Sequence, residues 1–125
     1  MQSTNVLLLL QSDPEVAQTL ASLLSSSFHR VHVASSVDDL RHAAAKHHPS
    51  AMVLDLESAS LADVEALTKE FNGVRVICNH RVPDEEMWTR TLSAGAEDCC
   101  PSSDMCGILS AAIKDEQLSE DSAAA

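Results

Sequence analysis

The chain has 125 residues, of which 45% are hydrophobic and 22% charged, a composition typical of one soluble globular domain. The formal net charge of −11, with eight lysines and arginines, disfavours nucleic acid and anionic membranes as ligands. The longest apolar run has five residues and no basic region precedes it, so we expect no membrane span, no signal peptide and a cytoplasmic location.

Five short segments have the apolar character of β-strands. The runs at 5–10 and 51–56 are unbroken, which predicts strands buried on both faces. The valine-rich segment 30–34 and the apolar segment 74–79 predict two further strands, and 97–100 predicts a short fifth one. The two unbroken runs are therefore expected at the centre of a sheet.

Helical periodicity fills the intervals between these strands. Asp13 and Pro14 form a typical helix start, and Ser36 with Asp39 forms an acidic variant of the capping box. The predicted helices cover 15–27, 37–46, 61–72 (closed by Gly73), 84–94 (closed by Gly95) and a last segment that starts at 103 or 104. Residues 118–125 lack periodicity and are predicted to fray, which leaves 1–117 as the folded domain.

Alternation of five strands with five helices predicts an α/β fold in which helices cover both faces of a parallel sheet. With right-handed crossovers, the flavodoxin-like, doubly wound order 2-1-3-4-5 is the natural arrangement for a chain of this length. Sites in such sheets form beyond the carboxyl ends of the strands. Asp55 stands at that end of the third strand, so we take it as the centre of any site.

Three motifs of the chain resemble the receiver domain of two-component response regulators. They are V-L-L-L-L-Q-S-D-P in the first strand, M-V-L-D-L in the third and S-A-G-A-E-D near residue 95. The resemblance extends from about Val6 to Ile113, and the spacing of the motifs fits the family. Receiver domains take a phosphoryl group from a histidine kinase onto an aspartate, and Asp55 matches that position.

The resemblance also implies a magnesium ion, but the acids that hold it in the family are missing. Two adjacent acids end the first strand in receiver domains, and Gln11 and Ser12 occupy these positions. Magnesium is usually held by one or two carboxylates and waters. Asp13 follows, where the family often has another acid, but as a helix cap it would point towards backbone N–H groups. We expect no cofactor, and Mg²⁺ only if Asp13 replaces the missing acids.

The residues that contact the phosphoryl group in the family have changed as well. A threonine or serine matches His80, a lysine matches Ser102, and the aromatic residue that moves on activation matches Cys99. Phosphoryl transfer depends on cations held against the transferred oxygens. Loss of one comparable electrostatic contact slows other enzymes by about 10²–10³. The sequence therefore predicts no efficient phosphotransfer.

Three roles remain open for Asp55 at this point. It is a hydrogen-bonded structural residue at the end of a strand, or a phospho-acceptor rescued by Asp13. The third option is a pair with His80, which would respond to pH because histidine changes charge near neutrality. We favour the structural role.

Trp88 is the candidate partner contact. It lies in the predicted fourth helix, and in the receiver family the surface of helix four, strand five and helix five binds partners or a second copy. An exposed tryptophan would suit such a contact, while partial burial in the core is equally compatible with the sequence. The resemblance implies a signalling partner, such as a histidine kinase or an output protein, and a homodimer through this surface as a further option.

Other features of the sequence predict no further chemistry. The four cysteines have no C-x-x-C spacing and are interpreted as small buried hydrophobes, and the six histidines as solvated polar residues. A nucleophile elbow and a glycine-rich phosphate loop are both missing, so we expect no enzyme. A flavin-binding protein would share the fold, but 2% aromatic residues leave few side chains to stack on the ring.

The preferred interpretation is thus a pseudo-receiver, a protein-interaction module of two-component phosphorelay signalling without magnesium-dependent phosphorylation. The alternative is a functional receiver that a histidine kinase phosphorylates on Asp55.

Overall fold

The computed structural model describes residues 6–81 and 84–113. The strands are β1 (Val6–Leu10), β2 (Arg30–Ala34), β3 (Ala51–Asp55), β4 (Arg75–His80) and β5 (Asp98–Pro101). The helices are α1 (Pro14–Leu24), α2 (Val37–His47), α3 (Leu61–Glu70), α4 (Glu85–Ser93) and α5, which begins at residue 105 and is described as far as 113. The predicted alternation of strands and helices is confirmed.

All strands are parallel, and the sheet has the order β2-β1-β3-β4-β5. This confirms the flavodoxin-like fold class. Every residue of β1 and of β3 is buried, as expected for central strands made of unbroken apolar runs. In the register between β3 and β4, Asp55 lies opposite Asn79.

Side chains of the central strands alternate between two apolar cores. Leu8 and Met52 belong to the core under α2 and α3, whereas Leu9 and Val53 belong to the core under α1 and α5. This alternation follows from the two-residue period of a strand. It fixes which side chains can meet at the carboxyl edge of the sheet, because residues two apart in sequence keep to the same face.

Several element boundaries differ from the prediction for local reasons. Helix α1 ends at Leu24 and not at residue 27, since the hydroxyls of Ser25 and Ser26 donate to the carbonyls of Ser22 and Leu23 at 2.8 Å. Serine side chains compete in this way with the helical backbone pattern. Strand β4 begins and ends one residue later than predicted, and β5 extends to Pro101.

The predicted helix starts are confirmed. The Asp13 carboxylate accepts from the Glu15 N–H at 2.9 Å, and Ser36 accepts from the Asp39 N–H at 3.1 Å. Asp39 in turn accepts from the N–H of Ser35 and not from that of Ser36, so the box is one residue longer than its usual form.

Two glycines provide the left-handed turns that close α3 and α4. Gly73 has φ +100° and Gly95 has φ +113°. A Cβ on Gly95 would lie 2.7 Å from the Thr68 hydroxyl oxygen, so this position excludes a side chain both by conformation and by space.

In the described ranges, no helix combines the length and the apolar character needed to cross a membrane. The predicted fraying of 118–125 concerns residues outside the described ranges and stays a prediction.

Candidate functional site

Asp55 ends β3 with its side chain folded into the protein, where the residue is 4% exposed. One carboxylate oxygen, Oδ1, accepts from the Glu57 N–H at 3.0 Å. The other, Oδ2, accepts from the Ser12 N–H at 2.9 Å and from the Ser12 hydroxyl. Both oxygens are thus hydrogen-bonded to groups of the chain itself, which is how buried carboxylates are usually stabilised.

Beside Asp55, three neutral side chains form a second hydrogen-bonded group. The Gln11 side-chain amide donates to Asn79 Oδ1 at 2.7 Å, and the Asn79 side-chain amide donates back to Gln11 Oε1 at 2.9 Å. Asn79 also donates to the Ser102 hydroxyl at 2.9 Å. The group links the ends of β1, β4 and β5, and Asn79 at its centre is completely buried.

Asn79 is the site residue that the sequence analysis missed. Counting back from Gly95 selects His80, but Asn79 is the register partner of Asp55. It also shares the strand face of Ile77, which belongs to the core under α1 and α5. Counting strand residues in twos from a known pairing would have identified it. His80 is the last residue of β4, and its carbonyl accepts from the Ser102 N–H at 2.8 Å. A pair between Asp55 and His80 stays a prediction.

A charged pair lies at the mouth of the site. Arg81 Nε is 3.3 Å from Glu57 Oε2, and the Ser12 hydroxyl is 3.3 Å from Glu57 Oε1. The Arg81 side chain is 77% exposed, so this ion pair stabilises the protein little. It nevertheless places one guanidinium beside Glu57, two residues beyond Asp55 in the chain. The strand patterns did not predict this contact.

The remaining predicted residues lie in different surroundings. Asp13 is exposed and its carboxylate caps α1, so the structure does not bring it into the Asp55 group. Cys99 is buried in β5, opposite Cys78 of β4. Trp88 is 44% exposed on α4, which decides between the two placements that the sequence left open.

The cysteines are buried thiols with one exception. Burial raises the pKa of Cys78 and of Cys99 above the ordinary thiol value, and it raises the pKa of Cys100 to about 12. These three behave as the small buried hydrophobes that were predicted. For Cys106 on α5 the prediction was wrong, because this residue is exposed.

The residues around Asp55 do not fit a magnesium ion. The side-chain oxygens of Gln11, Ser12 and Glu57 already have partners. The Gln11 side-chain oxygen accepts from Asn79, the Ser12 hydroxyl donates to Asp55, and the Glu57 carboxylate faces Arg81. Among residues 6–81 and 84–113, no three histidine, cysteine or acidic side chains are grouped so that they could hold a metal. Magnesium is usually held by carboxylates and waters, and the carboxylates of Asp55 and Glu57 already accept from Ser12 and face Arg81, respectively.

Sequence comparison finds no matching family model and no matching curated protein. Solved structures do match. The signal receiver domain of a DNA binding response regulator from Colwellia psychrerythraea is 18% identical with a TM-score of 0.79, covering 93% of this chain and 98% of that one. A Burkholderia pseudomallei response regulator with a phosphorylated aspartic acid, calcium ion and citrate is 18% identical with a TM-score of 0.77, covering 94% and 72%.

The CheX–CheY–BeF3–Mg complex from Borrelia burgdorferi contains a third similar chain. It is 14% identical with a TM-score of 0.78, and the match covers 89% of this chain and 88% of that one. These similarities show that the chain has the fold of response-regulator receiver domains.

Proposed function

We propose that this chain is a pseudo-receiver, a module of two-component signalling that binds protein partners and is not phosphorylated at Asp55 by the magnesium-dependent route. The observation that carries the proposal is the hydrogen bonding of Asp55. Each of its carboxylate oxygens accepts from the chain, and Ser12 alone supplies two of the three donors. Hydrogen bonds of this kind stabilise the negative charge of the carboxylate and lower its nucleophilicity towards phosphorus.

The charge around Asp55 supports the same conclusion. A transferred phosphoryl group carries negative charge on its oxygens, which needs cations in fixed positions. Ser102 and Asn79 are neutral and bonded to each other. The guanidinium of Arg81 is exposed and already faces Glu57, so it is a weak substitute for a buried lysine. If two such contacts are lost, the expected reduction in rate is about 10⁴–10⁶.

A direct test is treatment with acetyl phosphate and magnesium, followed by intact-mass measurement. We expect the mass to stay unchanged, and ¹⁹F NMR with beryllofluoride to show no bound signal. Asp55→Asn is the matched control. A phosphate adduct on the wild-type chain that is missing from Asp55→Asn would overturn the proposal.

A rescue variant shows whether the lost groups are the reason. Gln11→Asp, Ser12→Asp and Ser102→Lys together restore the acids and the lysine that the family has at these positions. We expect this triple variant to bind Mg²⁺ and to gain an adduct at Asp55. If it folds, as judged by circular dichroism, and gains neither, then the identity of these three residues does not explain the behaviour of the wild-type chain.

The alternative function is a receiver that a histidine kinase phosphorylates on Asp55. Arg81 favours it, because Arg81 follows β4 at the carboxyl edge of the sheet, where Asp55 ends β3. Its guanidinium could bind a phosphoryl oxygen in place of the Glu57 carboxylate. Under this alternative, Arg81→Ala would lower the yield of phosphorylated protein. Under the pseudo-receiver proposal it changes nothing, since the yield is already nil.

For the partner surface we propose the exposed face of α4 around Trp88. Trp88 is the single tryptophan of the chain and is 44% exposed, so its fluorescence reports directly on contacts at this face. If two copies meet there, sedimentation velocity will show a dimer, and the emission will shift to the blue as the concentration rises. Trp88→Ala should abolish the dimer, and the neighbouring surface change Thr89→Ala should not. A dimer that survives Trp88→Ala would contradict this placement.

A further inference from the structure

Positive charge without a carboxylate partner is concentrated at one edge of the sheet. Within the described ranges, ion pairs are made by Arg41, Lys69, Arg81 and Arg90, and the Arg75 guanidinium donates to the Ala112 carbonyl at 2.8 Å. Within residues 6–81 and 84–113, Arg30 and Lys46 have no carboxylate within ion-pair distance, and both are exposed. Five of the six histidines also fall between residues 29 and 48. Arg30 and Lys46 thus lie in a region of locally concentrated positive charge on a protein of charge −11, and Asp39 is the carboxylate that interacts with the neighbouring His32.

Arg30, His32, Lys46 and His47 form this region, which we call the cationic patch. Arg30 and His32 share the face of β2 that looks towards α2, and Lys46 and His47 lie in the last turn of α2. The ring centroids of His32 and His47 are 6.0 Å apart. Burial lowers the pKa of His47, and so do the charges of Lys46, Arg30 and His32, which means that the four groups are close enough to interact.

The cationic patch borders a strand with an open edge. In the described sheet, β2 pairs with β1 alone, so the backbone groups on its outer side have no strand partner. Such an edge is a template for an additional strand, and several protein classes bind extended peptides in this way.

The opposite face of β2 is apolar. Val33 is 48% exposed, although it is a large hydrophobic residue at the sheet edge. It lines an open groove of about 480 Å³ together with Pro14, Ala17 and Ala21 of α1. The same groove reaches Gln11 and Ser12 of the Asp55 site. Successive residues of β2 thus present positive charge on one face and apolar surface on the other.

We infer that the outer edge of β2 binds an extended segment of a partner protein in which acidic and apolar residues alternate. Main-chain hydrogen bonds would join the segment to β2. Its carboxylates would lie on the face of the cationic patch, and its apolar side chains would cover Val33 and the groove. This inference does not depend on whether Asp55 is phosphorylated, although Gln11 and Ser12 of the Asp55 site also line the same groove.

Charge decides between the possible occupants of this edge. A second copy paired through β2 would bring two cationic patches together, and like charges directly opposite are unfavourable. A nucleic acid carries a phosphate on every nucleotide, more than Arg30 and Lys46 can neutralise, and it has no aliphatic side chains to cover Val33. An acidic segment meets Arg30 and Lys46, which have no carboxylate within ion-pair distance in the described ranges. Charged residues at an edge strand can also serve solely to prevent association, and this is the outcome that the experiment has to exclude.

The experiment measures the fluorescence anisotropy of a labelled decapeptide that alternates glutamate and valine, at low salt and near pH 6. We expect saturable binding that weakens about tenfold in Arg30→Glu/Lys46→Glu. The matched control is Lys69→Glu/Arg90→Glu, which makes the same change in net charge on α3 and α4 and should leave binding unchanged. Equal weakening in both double variants would show a general charge effect and overturn the inference.

Two further measurements identify the mode of binding. A peptide with an N-methyl group on every residue has no backbone N–H to donate from either of its edges, so it cannot pair with β2 and we expect no binding. In NMR titrations, the backbone amides of 30–34 should shift most. Binding of the methylated peptide, shifts centred elsewhere, tighter binding of a labelled oligothymidine, or no saturable binding of the decapeptide would each contradict strand addition at β2.

Discussion

The strands β1, β3 and β4 differ sharply between their interior and their carboxyl ends. In the interior, Leu9, Val53 and Ile77 are completely buried and contribute apolar surface alone. Two residues further along β3 and β4, Asp55 and Asn79 are also buried, but their side chains are polar and are held by hydrogen bonds. The apolar side chains in the middle of the strands stabilise the fold that the hydrophobic pattern of the sequence specifies. The polar ends determine what the fold can do, and here Asn79 is hydrogen-bonded to Gln11 and to Ser102, and Ser12 is hydrogen-bonded to Asp55.

Thiol reactivity should show the largest difference between the buried interior and the surface. Ellman's reagent should label Cys106 in the native protein, whereas Cys78, Cys99 and Cys100 should react only on unfolding. The protection should approach the global free energy of unfolding, about 5–15 kcal/mol, because burial both shields these thiols and raises their pKa. Cys106→Ser should leave no fast thiol. A second rapidly reacting thiol would show that the β4–β5 region opens locally.

Truncation within the interior should have the next largest effect. We expect Leu9→Ala to lower the free energy of unfolding by about 2–5 kcal/mol, since it leaves a cavity in the core under α1 and α5. Guanidinium denaturation measures this change. Val33→Ala is the control at an exposed apolar residue, with an expected change within about 0.5 kcal/mol. Similar values for both variants would mean that β1 is not the centre of the core.

Breaking the polar group should have a smaller effect. Asn79→Ala removes the partner of the Gln11 amide and one donor to Ser102, so we expect a loss of about 1–3 kcal/mol. In a double-mutant cycle with Gln11→Ala, the two changes should be coupled by at least about 0.5 kcal/mol. Additive effects would show that the two amides do not depend on each other.

The smallest effect should be the dependence of stability on pH at the cationic patch. The pKa of His47 lies below the ordinary value of 6.5 because of burial, Lys46, Arg30 and His32. The folded state therefore holds its proton less tightly than the unfolded state. This contribution to stability is fully present above the unfolded pKa and is lost as the pH falls through the folded pKa.

Denaturation midpoints measured from about pH 7.5 to pH 5 test this sign. His47→Gln should flatten the decline, and His29→Gln, a change at an exposed histidine, should not. A steeper decline in His47→Gln would mean that burial and the neighbouring cations do not govern this histidine.

Features that depend on residues close together in the sequence were predicted well, and features that depend on distant residues were not. Strand β3 is predicted within one residue, because an unbroken apolar run and a following polar loop are local signals. The capping role of Asp13 is equally local, since donor and acceptor are two residues apart. The end of α1 was misplaced because three consecutive serines do not reveal where their hydroxyls will bond.

The site required information that local patterns lack. Gln11 and Asn79 are 68 residues apart, and their contact depends on strand order and register together. The pair between Arg81 and Glu57 joins two loops whose approach no periodicity predicts. Cys106 was assigned to the core by its residue type, whereas the orientation of α5 places it outside.

Position 95 accepts only glycine. Its backbone conformation and the nearness of Thr68 each exclude a side chain, and neither reason involves Asp55. Exchanges of the residues around Asp55 would therefore leave the requirement for glycine at position 95 unchanged. The S-A-G-A-E-D motif thus reports on backbone geometry and packing, and it carries no information on whether Asp55 accepts a phosphoryl group.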